Sequence, residues 1–154
     1  MKDKFDACEI AGRSIVEDVL DGWGYKWNET LGKYDPFDIE CTGDTGIASI
    51  EVKYRSAYTA SQIESFKGGK GHLIECHKYQ DLMDAYRLSG YTPIYWVTYS
   101  DRHIVWDLRY AEVKEAIDTY PTTTAIDGEN KERKVLYLQR DDCKWEQERQ
   151  ETKY

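Results

Sequence analysis

The chain has 154 residues, a length typical of one compact domain with its own hydrophobic core. Its formal net charge is -8, which argues against a general nucleic-acid coat protein, because such proteins are normally basic. That charge still allows an enzyme that holds nucleic acid through metal ions and a local basic patch. No apolar run approaches the roughly 20 residues needed to span a bilayer, so we expect no membrane partner.

The four cysteines, at positions 8, 41, 76 and 143, include no CxxC pair. A chain of this size does not need a disulfide framework, and its first residues are charged rather than signal-like. We therefore expect reduced thiols in a cytoplasmic protein.

The first half of the chain predicts a helix, a short strand and a hairpin. Apolar residues recur at helical spacing from Phe5 to Asp21, and glycines follow. The segment from Tyr25 to Asn28 favours a short strand. Two alternating segments, Phe37 to Cys41 and Ile47 to Tyr54, flank a run of turn residues and predict a β-hairpin.

The remaining elements predict an α/β domain. Thr59 to Gln62 has the pattern of a capping box, and the glycine-rich segment from Lys67 to Gly71 predicts a loop. Further along we expect a helix from Leu73 to Leu88, strands over Thr92 to Tyr99 and His103 to Leu108, a helix from Arg109 to Tyr120, a polar loop from Thr122 to Arg133, and a strand from Lys134 to Gln139. Helices then pack on a mixed sheet of about five strands, in a single domain over residues 1–154.

The hairpin has one register that separates polar from apolar side chains. If Gly43 to Gly46 form a four-residue loop, Asp38 lies opposite Glu51, and a slip of one residue would mix the two faces. The apolar face then holds Phe37, Ile39, Cys41, Ala48, Ile50 and Val52, and the polar face holds Asp38, Glu40, Ser49, Glu51 and Lys53.

The polar face has an arrangement that can bind a metal. Directly opposed side chains have Cβ atoms about 4.5–5.5 Å apart, so Asp38 and Glu51 repel each other unless a cation lies between them. Hard carboxylate oxygens suit Mg²⁺ or Mn²⁺. Lys53 lies on the same face, where it can hold a phosphate oxygen or orient an attacking water. The alternative is an ordinary amphipathic hairpin whose polar face is solvated.

The residues around this pair form two strings, Tyr34-Asp35-Pro36-Phe37-Asp38-Ile39-Glu40 and Ser49-Ile50-Glu51-Val52-Lys53-Tyr54-Arg55. They resemble the signature of the PD-(D/E)xK nucleases, in which an aspartate enters one strand and a Glu-x-Lys follows on the next. The element order over residues 5–108 is also similar to that of this family. Residues 109–154 then form a C-terminal helix, a strand and an acidic tail outside the family core.

The resemblance implies a restriction-endonuclease-like fold and a metal-dependent phosphodiester hydrolase. It implies that Asp38 and Glu51 bind the metal, that the Val52 carbonyl supplies a further ligand, and that Lys53 assists the nucleophile. Some members place an acid on the first helix, where Glu17 is the best match and Glu9 the second. The alternative is that Glu9, Arg13 and Glu17 form an exposed i,i+4 ladder of charges.

Other residues are candidates for contact with nucleic acid. The helix after the hairpin often presents a glutamine or lysine to the site, and Gln80 and Lys78 match that position in the resemblance. Cations on the loop and beside the motif can meet phosphates, and aromatics there can stack on a base. These candidates are Lys67, Lys70 and Arg55 for phosphates, and Tyr54 and Tyr58 for stacking. Ordinary surface or core roles explain the same residues.

Two further patterns give little support for a zinc site or a nucleotide cofactor. His72, Cys76 and His77 form a small metal-capable cluster, but zinc needs a fourth ligand and better spacing. The chain contains no P-loop and no GxGxxG motif, so nucleotide-cofactor chemistry has no support.

These observations predict a Mg²⁺-dependent endonuclease, with Mn²⁺ able to substitute, that hydrolyses DNA by metal-activated water. RNA remains open as a substrate, because no residue pattern separates it from DNA. We expect a homodimer, since duplex DNA offers two related strands. The alternative is a catalytically inactive module of the same fold that binds protein or nucleic acid.

Overall fold

The computed structural model describes residues 4–30, 37–66, 69–121 and 130–149. The elements follow one another along the chain as helices α1 to α3 and strands β1 to β9. In order they are α1 (Lys4–Gly22), β1 (Lys26–Glu29), β2 (Ile39–Gly43), β3 (Gly46–Arg55), α2 (Ala60–Ser65), β4 (His72–Glu75), α3 (Cys76–Ser89), β5 (Thr92–Tyr99), β6 (Arg102–Asp107), β7 (Val113–Pro121), β8 (Asn130–Leu138), a 3₁₀ turn (Arg140–Asp142) and β9 (Trp145–Glu148).

The strands form two sheets. A main sheet has the order β1-β2-β3-β5-β6-β9, and a small sheet has the order β4-β8-β7. β3 and β5 pair in parallel, whereas the other recorded pairs are antiparallel. The predicted α/β fold with a mixed sheet flanked by helices is confirmed. The prediction of about five strands was too low, because β4, β7 and β9 were missed and the second sheet was not foreseen.

The hairpin of β2 and β3 has the predicted register. Ile39 lies opposite Ile50 and Thr42 lies opposite Ile47, as predicted. Gly43 also pairs with Gly46, so the turn has two residues, Asp44 and Thr45, and not the predicted four. Beyond the last recorded pair, the Asp38 N–H donates to the Ile50 carbonyl at 3.0 Å. Asp38 therefore lies at the open end of the hairpin, as the sequence predicts.

The main sheet separates two hydrophobic cores. On one face, α1 packs its Val16 and Leu20 against Ile39, Ile50 and Trp96. The other face is covered by α3 and the small sheet, and its buried residues include Leu82, Tyr95, Val97, Trp106, Leu136 and Leu138. The hairpin is thus buried on both sides.

Burial on both sides corrects two expectations about the hairpin. Glu51 and Ser49 are buried, so the alternative of a solvated polar face is wrong. Phe37 packs in the core beneath α3, not beside Ile39 on the face of α1. The chain bends at Asp38, and this bend takes Phe37 out of the alternation that strand geometry would impose.

Three predicted spans were wrong in part or in whole. The segment predicted as a helix from Arg109 to Tyr120 contains a turn and then β7, because pairing with β8 overrides its helical spacing of apolar residues. The helix expected from Leu73 begins only at Cys76, after β4 has paired with β8. Of the predicted polar loop, Asn130 to Arg133 belong to β8, and residues 122–129 lie outside the described residues.

One glycine allows α1 to approach the hairpin of β2 and β3 closely. A Cβ built on Gly12 would lie 2.8 Å from the Cβ of Tyr54 in β3, which is too close for real atoms. Tyr54 therefore packs beneath α1 and does not face the opposite side of the sheet. None of the helices in the described ranges is long and apolar enough to cross a membrane.

Candidate active site

The site is built on the middle of β3, on the face covered by α3. Glu51 pairs with Tyr95 of β5 in parallel register, so its side chain shares the face of that buried ring. Only 7% of Glu51 is exposed. Burial raises the pKa of the Glu51 carboxyl to about 8, and the charge of Asp38 adds to that rise. Asp38 and Glu51 are therefore neighbours electrostatically, as the predicted register requires.

Asp38 reaches the site from the open end of the hairpin. Its Oδ2 accepts a hydrogen bond from the Val52 N–H at 2.8 Å. Its Oδ1 lies 3.9 Å from Nη1 of Arg13 in α1. The carboxylate is thus fixed by the backbone of the strand that carries Glu51, with a cation beside it.

A lysine from α3 forms an ion pair with one of these two carboxyl groups. Nζ of Lys78 lies 3.3 Å from Oε1 of Glu51. Burial alone would lower the pKa of Lys78, but the negative charges of Glu51 and Asp38 outweigh burial and raise it. Lys78, predicted as a contact for nucleic acid, instead forms an ion pair with the predicted metal ligand. We call Asp38, Glu51, Lys53 and Lys78 the carboxylate–lysine site.

Lys53 occupies the same face two residues further along β3. Burial lowers the pKa of its ammonium, and Arg55 lowers it further, while Glu75 and Glu51 oppose this effect. A lysine with a lowered pKa gives up a proton more easily than a solvated one. The structure thus gathers Asp38, Glu51 and Lys53 in one place, as the sequence predicts.

Two buried oxygens near the centre of the site have no hydrogen-bond partner in the described structure. They are Oε2 of Glu51 and Oγ of Ser49, which precedes Glu51 by two residues on the same face. Buried polar atoms are almost always paired, so such atoms mark a position that a water or an ion can fill. A carboxylate oxygen of this kind beside a second carboxylate fits a hard divalent cation.

No group of three or more His, Cys, Asp or Glu side chains among the described residues is placed to hold a metal ion. A cation here would need Asp38 and Glu51 together with main-chain and water oxygens. Mg²⁺ commonly binds through one or two carboxylates and keeps several waters. The oxygen ligands available at the site fit this mode of Mg²⁺ binding.

Glu17 lies in a neighbouring acidic cluster on the α1 side. Only 9% of it is exposed, and its Oε2 lacks a partner within the described structure. Burial and a hydrogen bond with Glu29 raise the pKa of Glu17 to about 8. Arg13 joins this cluster to the site, since it lies 3.5 Å from Glu29 and 3.9 Å from Asp38. Sequence reasoning missed Glu29, which carries no motif, and considered Arg13 only as part of an exposed ladder. Glu17 is buried, so that ladder alternative is wrong for Glu17.

Glu9, the second acid suggested on α1, is exposed. Its charge acts on Lys53, whose pKa it raises slightly against the effect of burial. Glu17 and Glu9 therefore lie beside different members of the predicted site.

The other predicted contact residues have varied surroundings. Gln80 donates to Asp84 on the exposed side of α3 at 2.8 Å. Arg55 lies near the buried Tyr95, whose pKa burial raises to about 12. The Lys70 carbonyl accepts from Gln139 at 2.9 Å, and Lys67 lies outside the described residues.

The cluster considered for zinc does not converge. His72 is buried between Tyr99 and Glu64, and its Nε2 lies 3.0 Å from Oε2 of Glu64. The Cys76 thiol donates to the Lys134 carbonyl, and His77 lies near Glu75. The three side chains thus have separate partners.

Comparison with known proteins finds similarity among solved structures alone. No family model matches the chain, and no curated protein matches it. Among solved structures, the chain is similar to Hjc of Archaeoglobus fulgidus, a Holliday junction resolvase from an archaeal hyperthermophile. The identity is 16% and the TM-score is 0.43, over 62% of this chain and 78% of that one. A likeness of this size carries no argument about activity.

Proposed function

We propose that the chain is a metal-dependent deoxyribonuclease, an endonuclease that hydrolyses phosphodiester bonds of DNA. The observation that supports this most is the buried Glu51 carboxyl, which has one unpartnered oxygen, Asp38 beside it and lysines on two elements around it. A protein gains no stability from burying one acid beside a second, partly exposed acid, so a site that retains both points to a ligand.

A divalent cation would be held by Asp38, Glu51 and the Val52 carbonyl. Glu17, the further ligand that the sequence suggested, lies with Glu29 and is not brought together with Asp38 and Glu51 in the described residues. When bound, Mg²⁺ or Mn²⁺ supplies a Lewis acid that polarises the phosphoryl group and lowers the pKa of a bound water.

The protein's own side chains have distinct tasks in this proposal. Lys53 can hold a non-bridging phosphate oxygen or orient the attacking water, because its ammonium shares the face of Glu51. Lys78 favours the ionised form of Glu51 through their 3.3 Å ion pair. The Val52 N–H fixes the Asp38 carboxylate. Burial of Glu51 beneath α3 keeps bulk water away, and the electrostatic interactions among these side chains are stronger where water is excluded.

The proposal is tested by cleavage of plasmid, linear and branched DNA in the presence of Mg²⁺, Mn²⁺ or EDTA. We expect nicking with either metal and none in EDTA. Asp38→Asn and Lys53→Ala should each lower the rate at least about 100-fold, since the first weakens a metal ligand and the second removes the ammonium beside the phosphate.

Glu40→Gln is the matched control, because Glu40 is a carboxylate of β2 that lies two residues beyond Asp38. It should leave cleavage within about twofold of the unmodified protein. Cleavage that persists in both site variants, or that is independent of metal, would contradict the proposal.

A catalytically inactive binding module is the second candidate. Two observations favour it: Lys78 already neutralises Glu51, and the described residues offer no cluster of three metal-binding side chains. This candidate predicts no cleavage and no heat on titration with Mn²⁺, whereas the nuclease predicts binding that Asp38→Asn weakens.

We also propose a homodimer that acts on both strands of duplex DNA. Sedimentation at micromolar concentration distinguishes a dimer of about 36 kDa from the 18.0 kDa single chain.

A further inference from the structure

Two exposed aromatic side chains lie just beyond the end of β3. Tyr58 and Phe66 form an edge-to-face contact with ring centroids 5.5 Å apart and planes at 86°. Tyr58 is 43% exposed and Phe66 is 48% exposed. We call these two residues the aromatic pair. Large apolar rings normally lose exposed area on folding, so a pair left open at one place is available to a ligand.

The aromatic pair stands on well-anchored backbone. The Tyr58 N–H donates to the Arg55 carbonyl at 3.2 Å, and the Tyr58 carbonyl accepts from the Ser100 N–H at 2.9 Å. Phe66 closes α2, whose start is fixed by a full capping box between Thr59 and Gln62. Rings on fixed backbone lose little entropy when a ligand packs against them.

The aromatic pair follows the carboxylate–lysine site along the chain, after the turn that ends β3. Glu51, Lys53 and Arg55 are spaced by two residues on one face of β3, and Tyr58 follows Arg55 by three residues. At about 3.3 Å per residue, Arg55 is roughly 13 Å from Glu51 along the strand. Two partly buried cations thus separate the buried carboxyl from the exposed rings.

Cations followed by exposed aromatic rings suit a single strand of nucleic acid, which offers phosphates to the cations and free base faces to the rings. Cations meet phosphates, and exposed rings stack on bases whose faces are free. Bases inside a duplex are already stacked on both faces. Glu64 is the nearest acid on α2, and Arg140 pairs with it at 3.1 Å, so its charge is compensated.

We propose that the aromatic pair stacks an unpaired base of the DNA substrate, next to the phosphates held along β3. The substrate class is therefore DNA with a single-stranded segment beside the cleaved bond. This inference rests on the proposed nuclease function.

The test uses single-stranded DNA that carries 2-aminopurine, a base whose fluorescence is quenched by stacking. Binding is measured with Ca²⁺, which takes the same oxygen ligands as Mg²⁺, and again in EDTA, with intact DNA verified on a gel. We expect quenching on binding. Tyr58→Ala and Phe66→Ala should each weaken binding about 5- to 150-fold and remove the quenching, whereas Tyr58→Phe should retain both.

Tyr110→Ala is the matched control, because Tyr110 is 77% exposed and lies in the turn after β6, away from β3. It should leave binding and quenching unchanged, and none of the four variants should change affinity for blunt duplex DNA. Thermal melts establish that each variant folds.

Three outcomes separate the possibilities. If quenching depends on Tyr58 but no cleavage is seen, the proposed nuclease activity is overturned and the stacking inference stands. Cleavage without quenching, or quenching that survives both alanine variants, overturns the stacking alone. A change of sedimentation in Tyr58→Ala, with quenching intact, would assign the aromatic pair to contact between two copies of the chain and overturn the inference.

Discussion

At the scale of single residues, Glu51 is costly for folding. Its carboxyl has a pKa near 8 in the folded chain, mainly through burial, against an ordinary value of 4.5. The folded state therefore binds more protons than the unfolded state between these values. Stability contributed by this group is full below pH 4.5 and is lost as the pH rises through 8.

Replacement of Glu51 by Gln should remove this loss. We expect Glu51→Gln to have a higher free energy of unfolding than the unmodified protein at pH 8.5, and nearly the same value at pH 4.5. Urea unfolding at both pH values measures the difference. Glu40→Gln serves as the control and should change the free energy of unfolding by the same amount at both pH values. An equal effect of the two substitutions would contradict the assignment of the pH dependence to Glu51.

The ion pair between Glu51 and Lys78 can be measured separately. Lys78→Met leaves a buried carboxyl without its cation and should cost about 1–3 kcal/mol at pH 8, less than a fully buried pair because Lys78 is partly exposed. In the Glu51→Gln background the same change should cost much less. A double-mutant cycle by urea unfolding gives the coupling, and Lys114→Met on β7 is the exposed control. Additive effects would show that the two side chains do not interact.

The lowered pKa of His103 predicts that the protein loses stability in acid. Burial lowers its pKa to about 4, and Arg149 adds to this effect. Its Nδ1 accepts from the Trp96 indole N–H at 3.1 Å, which holds the ring neutral. The unfolded state then binds more protons between about pH 6.5 and 4, so stability falls as the pH drops through that window.

His103→Asn keeps an acceptor for Trp96 and removes the titrating ring. We expect a flatter dependence of stability on pH between 4 and 6.5, measured by urea midpoints. His77→Asn, at an exposed position on α3, should leave the slope unchanged. A slope that stays the same in His103→Asn would exclude this residue as its source.

At the scale of elements, the approach of α1 to the hairpin depends on Gly12. A methyl group there would meet the Cβ of Tyr54, which cannot move aside without shifting β3. We expect Gly12→Ala to destabilise the fold by about 1–2 kcal/mol, despite the better helix propensity of alanine. Gly22→Ala, at the end of the same helix with open space around it, should be neutral or slightly stabilising. Thermal melts compare the two, and equal shifts would contradict the close contact.

The elements that sequence could predict are those fixed by local pattern. The hairpin, its register and the placement of Asp38, Glu51 and Lys53 follow from alternation within about 20 residues. β7 escaped prediction because Val113, Ala116 and Ile117 are also spaced as in a helix, and only pairing with β8 decides between the two. The burial of Glu51 and its ion pair with Lys78 depend on α3, which no local pattern places over β3.

At the scale of the whole molecule, the main sheet joins both cores, so we expect them to unfold together. Leu82 is buried beneath the sheet face opposite α1. Leu82→Ala should cost about 2–5 kcal/mol and lower the midpoint seen by both far-ultraviolet circular dichroism and tryptophan fluorescence. Trp96 lies in the core of the α1 side but Trp106 lies in the core that contains Leu82, so the fluorescence is read in a Trp106→Phe background, where it reports the face that the substitution does not touch. Separate transitions would show that the two halves are independent.

The parallel pairing of β3 with β5 also matters while the protein is being made. The partners Ala48 and Thr92 are 44 residues apart, so the strand that carries Glu51 and Lys53 acquires its second neighbour only after most of the chain has left the ribosome. Until then one edge of β3 offers unpaired N–H and C=O groups beside Ile50 and Val52, a surface on which nascent chains can join. Synthesis that stalls before β5 would therefore yield aggregation-prone fragments.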